Sequence, residues 1–290
     1  MRKIYLFFLF FSVTSQIFAN PKFVPNQGQW DGDFQYKLDF GSGSLFFSND
    51  RITTTILNTE DLRKAHNSSC LSHKDHGEHA PEKITVKGYN YHVNLVGAQT
   101  KAIHGTEKMS MYHNYFLGND SSRWKSRVPV FAALEYQEVY PGVNMRYFEE
   151  KGQLKYEFHL AAGADAGKIM LEYEGAPIAL NADGNLQVDI DFEKVIEMAP
   201  YCYQVINGEK REVPSSYHVN GQVVSFVFPK GYSKAHPLII DPAVIFKSYS
   251  GSTSEVNTYS HCHDSRGRLC ILGDATSNGF RSTTGFFQTT

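Results

Sequence analysis

Apolar residues in this chain recur at every second position, and this alternation constrains the fold more than any other feature. It runs through several segments, including residues 34–40, 89–95, 143–147 and 154–160. Alternate apolar positions place one face of an extended strand against a core and leave the other face in solvent. No window of a dozen residues keeps a helical period, so we expect helix in less than about a tenth of the chain. The sequence predicts an all-β protein.

Turn signals separate the alternating segments. Three of them are dipeptides that suit the positive φ angles of tight hairpin turns: Asp183-Gly184, Asn207-Gly208 and Asn220-Gly221. Residues 143–160 similarly contain two alternating runs on either side of Glu150-Lys151-Gly152. Strands joined by tight turns are antiparallel. We therefore expect an antiparallel, β-sandwich-like domain.

Residues 1–19 have the layout of a secretory signal peptide. Arg2 and Lys3 precede an apolar run at residues 4–11, and a polar stretch then leads to Ala19. That run is too short to cross a bilayer as a helix, and no later segment reaches the ~18 apolar residues that a membrane helix needs. We expect cleavage after Ala19, a secreted or cell-surface location, and no integral membrane segment in the mature chain.

Charge and cysteine content argue against a nucleic-acid-binding protein and against a disulfide-stabilised scaffold. The chain has 28 basic and 30 acidic residues, a formal charge of -2, and the two signs are interspersed. A nucleic-acid binder would show a basic stripe, so we expect no nucleic-acid partner. Four cysteines are sparse for an exported chain of this length, so stability should come from burial and not from a disulfide framework.

Two features define the domain organisation of the chain, a polar loop and a domain border. Residues 57–83 are polar and poor in apolar side chains, which predicts a long solvated loop. The apolar strand at residues 238–240 ends at Asp241-Pro242, and proline cannot donate a hydrogen bond in a central strand. We therefore predict an N-terminal β-rich domain at residues 20–242 and a separate segment at residues 243–290.

The polar loop contains four of the twelve histidines of the chain. Imidazole is a usual ligand of zinc and copper. A structural zinc site needs four ligands held by a closed fold, whereas ordering a polar loop costs ~1 to 2 kcal/mol per residue. We therefore expect no cofactor and no specific metal site, with only weak adventitious metal binding at these histidines: His66, His73, His76 and His79.

The cysteines leave two arrangements open. Cys262 and Cys270 lie in two short predicted strands on either side of the sequence "DSRG". If the turn between the strands has an odd number of residues, the two cysteines face each other and can form a cross-strand disulfide outside the cell. Cys70 and Cys202 would then pair with each other or stay free.

Acidic residues offer only weak candidates for catalysis. Asp189 and Asp191 occupy alternate positions of one predicted strand, and paired carboxylates serve in glycoside hydrolysis. Alternate acidic positions usually form the solvated face of a strand, however. Asp120 in "LGNDSSRW" has the neighbours of a turn residue. The sequence also lacks the common motifs of serine hydrolases, zinc proteases and phosphate-binding loops. We therefore expect no catalytic residues and no enzymatic activity.

The end of the chain carries a recognisable pattern. The sequence "DSRGRLCILGDATS" is followed by "TTGFFQ", and residues 248–288 around them resemble the SBBP repeat, a repeat of the seven-bladed β-propeller type. The resemblance implies that residues 243–290 form a single, incomplete propeller repeat. One such unit cannot bury its own faces.

Upstream motifs extend the resemblance. They are "FVPNQGQW", "LKYEFHLAAGAD", "PLIIDP" and residues 112–148, which are similar to the uncharacterised N-terminal domain that precedes SBBP repeats in surface proteins of gliding Gram-negative bacteria. The resemblance implies display at the cell surface, often through type IX secretion with a separate C-terminal sorting domain. It supplies no catalytic residues.

Two functions remain after these exclusions. The first hypothesis is a non-enzymatic, exported scaffold or adhesion module that precedes a β-propeller and contacts other surface proteins. The alternative is a surface protein that binds or processes carbohydrate. Aromatic residues make up 14% of the chain, and exposed rings can stack on sugars, although Tyr and Phe also favour strands for packing reasons alone.

Overall fold

A computed structural model describes residues 22–40, 42–71, 85–150, 153–245, 256–263 and 269–275. Strand accounts for 58% of the residues and helix for 7%, which confirms the predicted all-β class. Residues 20–251 form one compact unit, called the first unit, and a second unit includes residues 252–290. In the described residues, no helix is long and apolar enough to cross a membrane.

The first unit contains strands β1 to β19, a helix α1 and two short 3₁₀ turns. Its first half contains β1 (Phe23–Pro25), β2 (Tyr36–Phe40), β3 (Gly43–Phe47), β4 (Arg51–Leu57), α1 (Thr59–Leu71), β5 (Gly88–Leu95), β6 (Ala102–Tyr115), a 3₁₀ turn (Ser121–Arg123), β7 (Lys125–Tyr140), β8 (Val143–Glu150) and β9 (Gln153–Leu160). Its second half contains a 3₁₀ turn (Ala166–Lys168), β10 (Leu171–Glu174), β11 (Ile178–Leu180), β12 (Leu186–Ile190), β13 (Glu193–Glu197), β14 (Tyr201–Ile206), β15 (Glu209–Val213), β16 (Ser216–Asn220), β17 (Val223–Val227), β18 (Leu238–Asp241) and β19 (Ala243–Ile245).

These strands form one antiparallel sheet. Successive neighbours are β16, β17, β10, β5, β4, β3, β2, β1, β7, β8 and β9. At β9 the sheet branches: β18 leads to β14 and β15, whereas β19 leads to β13, β12 and β11. Within the described part of the chain, β6 pairs with β7 alone. Nearly all these strands contribute side chains to one main hydrophobic core.

The β8–β9 hairpin shows how the alternation builds this core. Met145 lies opposite Phe158, and Tyr147 lies opposite Tyr156. All four side chains are buried. The residues between them point to the other face, because successive side chains on a strand alternate. The period of two in the sequence therefore corresponds directly to the inner face of the sheet.

Two predicted turn dipeptides behave differently in the structure. Asn207 and Gly208 both have positive φ angles, 54° and 82°, and they form the two-residue turn between β14 and β15, as a type I′ turn requires. In the β16–β17 hairpin, Asn220 instead pairs with Val223. The turn therefore starts at Gly221, which has a φ of 61°, one residue later than the dipeptide suggests.

Helix α1 replaces the first part of the predicted polar loop. The Asn58 side chain caps it by accepting a hydrogen bond from the Asp61 backbone N–H at 3.0 Å. Ion pairs join Glu60 to Arg63 at 2.6 Å and Asp61 to Lys64 at 3.7 Å, each three residues apart. These local contacts favour a helix without an apolar stripe. Hydrophobic periodicity consequently gave no sign of it.

The predicted border at Asp241-Pro242 is a crossing point inside the first unit. Strand β18 pairs with β9 and β14 before Pro242, and β19 continues directly after it by pairing with β9 and β13. The missing N–H of proline falls between the two ladders. The proline therefore marks where one strand passes between two branches of the sheet.

Strands β6 and β7 are irregular. Glu107, Arg127 and Glu138 have positive φ angles of 54°, 56° and 46°, and the pairing register shifts along both strands. Such bulges bend a strand and interrupt its alternation. An ion pair with Arg146 holds Glu107 in place.

The described part of the second unit is a two-stranded antiparallel hairpin, β20 (Val256–His263) and β21 (Leu269–Ala275). Its backbone register places Cys262 directly opposite Cys270. Five residues, 264–268, separate the two strands, and this odd number meets the condition that the sequence set for a cross-strand disulfide. The disulfide itself stays a prediction.

Candidate functional site

The interior of the first unit contains one buried carboxyl group bound by tyrosines. Glu197 is the last residue of β13 and is 4% exposed. The Tyr173 hydroxyl donates a hydrogen bond to Glu197 Oε1 at 2.5 Å, and the Tyr156 hydroxyl donates to Oε2 at 2.8 Å. Both oxygens of the carboxyl group are therefore satisfied, as a buried polar group requires.

Burial determines the acidity of this cluster. It raises the pKa of Glu197 above its ordinary value, and the hydrogen bonds from Tyr173 and Tyr156 offset part of the rise. Burial also raises the pKa values of the two tyrosines, with the nearby Glu197 carboxylate as the second cause. Each group is therefore stabilised in its neutral form.

The cavity beside this cluster is small. Its volume is about 30 Å³, and Leu45, Ile52, Phe158 and Leu171 line it together with Glu197. That volume accommodates about one water molecule, whereas small-molecule sites are typically several hundred Å³. We interpret the cluster as a structural polar centre of the core.

The acidic residues singled out in the sequence lie apart from this cavity. Asp189 on β12 is partly exposed and pairs with Lys194 on β13 at 3.2 Å. Asp191 lies in the turn after β12, not on the strand face that the sequence suggested. The two residues therefore do not form a carboxylate pair on one strand.

Asp120 has the structural role in a turn that its neighbours predict. Its side chain accepts hydrogen bonds from the backbone N–H of Ser122 at 3.0 Å and from the Ser122 hydroxyl at 2.7 Å. It caps the 3₁₀ turn Ser121–Arg123 in this way. The same hydrogen bonds lower the pKa of Asp120.

The candidate metal ligands are only partly placed. His66 lies in α1, and His73, His76 and His79 lie outside the described residues. In the part of the chain that the structure describes, no group of His, Cys, Asp or Glu is arranged to hold a metal ion. The weak adventitious binding therefore remains a prediction.

Cys202 is buried on β14 and free. Burial raises the pKa of its thiol to about 11. Because the thiolate is the reactive form of cysteine, Cys202 is a packing residue and not a nucleophile at neutral pH.

Five of the eleven large apolar side chains that are exposed in the described residues lie towards the end of the β6–β7 hairpin. We call this group the hairpin tip; it consists of Met111, Tyr112, Phe116, Leu117 and Trp124. Phe116 is 60% exposed, Leu117 is 50% and Trp124 is 43%. A concentration of exposed apolar residues in one place is typical of an interaction site.

Local contacts fix the shape of the hairpin tip. The rings of Phe116 and Trp124 pack edge to face, with centroids 5.7 Å apart. Trp124 Nε1 donates a hydrogen bond to the Gly118 carbonyl oxygen at 3.3 Å. The cap at Asp120 lies in the same loop. The loop therefore holds the apolar side chains outward, and fixing them on binding costs little further conformational entropy.

A second, small hydrophobic cluster supports the base of the hairpin tip. Val24, Val128 and Val130 are buried there, and Trp30 packs against them. The Trp30 ring also contacts the Tyr115 ring at a centroid distance of 4.8 Å. This cluster joins the hairpin to β1, so buried side chains pack beneath the hairpin tip.

Cations surround the hairpin tip. Residues 108–127 include four basic residues and one acidic residue. Arg123 pairs with Asp31 at 2.8 Å. The other three form no ion pair with a carboxylate of the described residues: Lys108, Lys125 and Arg127. The site therefore combines an apolar end with an excess of positive charge.

A second aromatic surface lies on the outer face of β14. Tyr201 and Tyr203 have ring centroids 5.8 Å apart and an interplanar angle of 33°. Lys210 Nζ lies 3.6 Å from the Tyr203 ring centroid and 4.8 Å from that of Tyr201. This face places two neighbouring, mutually tilted rings beside a cation.

Sequence reasoning missed both surfaces. Phe116 and Leu117 directly precede the turn residues Gly118 to Asp120, and Trp124 follows shortly after. Large apolar residues on both sides of a polar turn are a usable signal, because the end of a hairpin has little core to enter. For Tyr201 and Tyr203, the alternation with buried Cys202 and Gln204 carries the same information.

The fold and the surface together define the class of this protein. It is an antiparallel β module with a hydrogen-bonded polar cluster in its core and a hairpin tip whose apolar side chains are accompanied by cations. Residues 23–243 match the family model described as a domain of unknown function, DUF7948. The chain belongs to this family. No curated protein matches the chain, and no solved structure matches it.

Proposed function

We propose that this chain is a non-enzymatic, exported module that acts at the cell surface as an adhesive or scaffold element preceding a β-propeller repeat. The observation that carries the proposal is the hairpin tip, which exposes large apolar side chains on a packed support. Export and the repeat rest on the signal-like residues 1–19 and on the resemblance of residues 248–288.

The interior supports a binding role over a catalytic one. Both carboxyl oxygens of Glu197 accept tyrosine hydrogen bonds, and the adjoining cavity has a volume of only about 30 Å³. A catalytic acid must reach a substrate to transfer a proton. This carboxyl group instead holds β9, β10 and β13 together from inside.

Bead adhesion tests the proposal. Beads coated with the purified chain should be retained under flow on envelopes from the cells that produce it. Burying one large apolar side chain contributes ~1.5–3 kcal/mol, so the double variant Phe116→Ser with Leu117→Ser should reduce retention at least about tenfold.

The matched control is Leu180→Ser with Val205→Ser. These side chains are 42% and 48% exposed, so the control replaces two exposed apolar side chains elsewhere and should leave retention unchanged. Equal loss in both double variants, or no retention of the original chain, would contradict an adhesive role for the hairpin tip.

Carbohydrate binding is the second candidate, and the paired rings of Tyr201 and Tyr203 favour it. Amphipathic rings with a nearby donor, here Lys210, can stack on a sugar and bind its hydroxyls. A glycan screen tests this. Retention on one polysaccharide class that is lost in Tyr201→Ala, but kept in Phe116→Ser with Leu117→Ser, would replace the first proposal with the second.

A further inference from the structure

We propose that the hairpin tip inserts into the interfacial region of an anionic lipid surface. The inference rests on the proposed adhesive function and names the partner of that same site. Three properties of the hairpin tip carry it: the distribution of its apolar side chains, their chemistry and the charge behind them.

The apolar side chains surround the end of the hairpin. Met111 and Tyr112 are successive residues of β6, and both are exposed. The pairing register of β6 shifts between Lys108 and Tyr112, so these two side chains lie at an irregular part of the strand and both remain in solvent. A fluid apolar medium can cover side chains in such an irregular arrangement, whereas a rigid partner would need a matching surface.

The chemistry of the foremost residues favours lipid over sugar. Phe116 and Leu117 are the most exposed apolar residues of the adjoining loop, and neither carries a hydrogen-bonding group. Trp124 uses its only donor within the loop, on the Gly118 carbonyl. In the loop between these residues, Asp120 and Ser122 bond each other in the cap of the 3₁₀ turn. Phe116 and Leu117 themselves offer a sugar only apolar contact. Hydrocarbon chains need no hydrogen-bonding partners.

Positive charge begins directly behind the apolar end. Lys125 lies opposite Tyr115, the residue that precedes Phe116. Arg127 follows on the same strand, with its guanidinium 5.5 Å from the Tyr112 ring centroid. From the end of the hairpin inwards, apolar residues come first, Trp and Tyr next, and cations last. A peptide that penetrates ~5–10 Å into a lipid interface has the same order, with its basic side chains at the phosphate level.

Vesicle flotation tests the inference directly. The purified chain should float with vesicles of phosphatidylcholine and phosphatidylglycerol, and much less with phosphatidylcholine alone. Trp124 emission should shift to shorter wavelength with the anionic vesicles, and Trp124→Phe should abolish that shift. Because Phe116→Ser with Leu117→Ser removes two apolar side chains that would enter the lipid, it should weaken binding at least about tenfold.

Two further variants separate charge from apolar contact. Lys125→Glu with Arg127→Glu should remove the preference for anionic vesicles, since lipid attraction depends on positive charge near the surface. Leu180→Ser with Val205→Ser should bind vesicles like the original chain. Circular dichroism of each variant should be unchanged, because all these side chains are on the surface.

The outcomes distinguish this inference from the proposed function. Absence of vesicle binding, or binding that survives in Phe116→Ser with Leu117→Ser, would overturn the lipid inference. If bead adhesion to envelopes still depends on Phe116 and Leu117 in that case, the adhesive function stands and its partner is a protein. If neither vesicle binding nor bead adhesion depends on these residues, both proposals fail.

Discussion

The interior around Glu197 and the hairpin tip both contain aromatic residues, yet they differ in what surrounds each ring. In the interior, Tyr156 and Tyr173 are buried and their hydroxyls are bound by a carboxyl group. At the hairpin tip, Phe116 and Trp124 pack mainly against each other. Aromatic content alone therefore does not indicate function; the neighbours of each ring decide whether it stabilises the fold or remains free to bind.

Replacing one Phe by Ala in each region should give the largest difference in the free energy of unfolding. Phe158 is fully buried, so Phe158→Ala should lower the free energy of unfolding by ~3–5 kcal/mol. Phe116→Ala should change it by less than ~0.5 kcal/mol, as expected at an exposed position. Urea denaturation measures both. Similar losses for the two variants would show that the hairpin tip is part of the folding core.

A smaller effect should appear in the pH dependence of stability. Burial raises the folded-state pKa of Glu197, so its protonated form favours the folded state. The contribution is complete below the ordinary carboxyl pKa of ~4.3, and it is lost as pH rises through the raised folded-state pKa, by ~1.4 kcal/mol for each unit of the rise.

Glu197→Gln keeps the shape of the neutral acid and removes this titration. The stability of this variant relative to the original chain should therefore increase as pH rises from about 4 towards neutrality. Thermal melts across this range measure it. Exposed Glu209→Gln controls for the change in net charge. A stability difference that is constant with pH would mean that Glu197 keeps the same pKa in the folded and unfolded states.

The smallest effect concerns the order of the hairpin tip. Asp120→Ala removes the hydrogen bonds from Ser122, so amide exchange in residues 116–124 should become faster while the melting temperature of the chain stays the same. Asp120→Asn retains the cap, because asparagine caps nearly as well. Hydrogen exchange that is unchanged in Asp120→Ala would show that the contact between Phe116 and Trp124 alone fixes the loop.

Alternation in the sequence was sufficient to predict the class of fold and the inner face of the β8–β9 hairpin. It also contained a signal for Glu197 that was not used, since Glu197 shares a strand face with buried Val195. The hairpin tip was harder to predict from the sequence, because bulges near Glu107 and Arg127 interrupt the period of two. Helix α1 depends on a cap and short-range ion pairs, which leave no apolar period.

The positive φ angle of Glu107 has a consequence for how copies of this protein behave beside one another. In the described part of the chain, β6 pairs on one side only, and a long unpaired strand edge is a template for polymerisation. The positive φ of Glu107, whose side chain pairs with Arg146, and the register shift that follows Lys108 interrupt the regular geometry near the middle of that edge. The edge is therefore not a continuous template on which a second chain could add a strand along its full length.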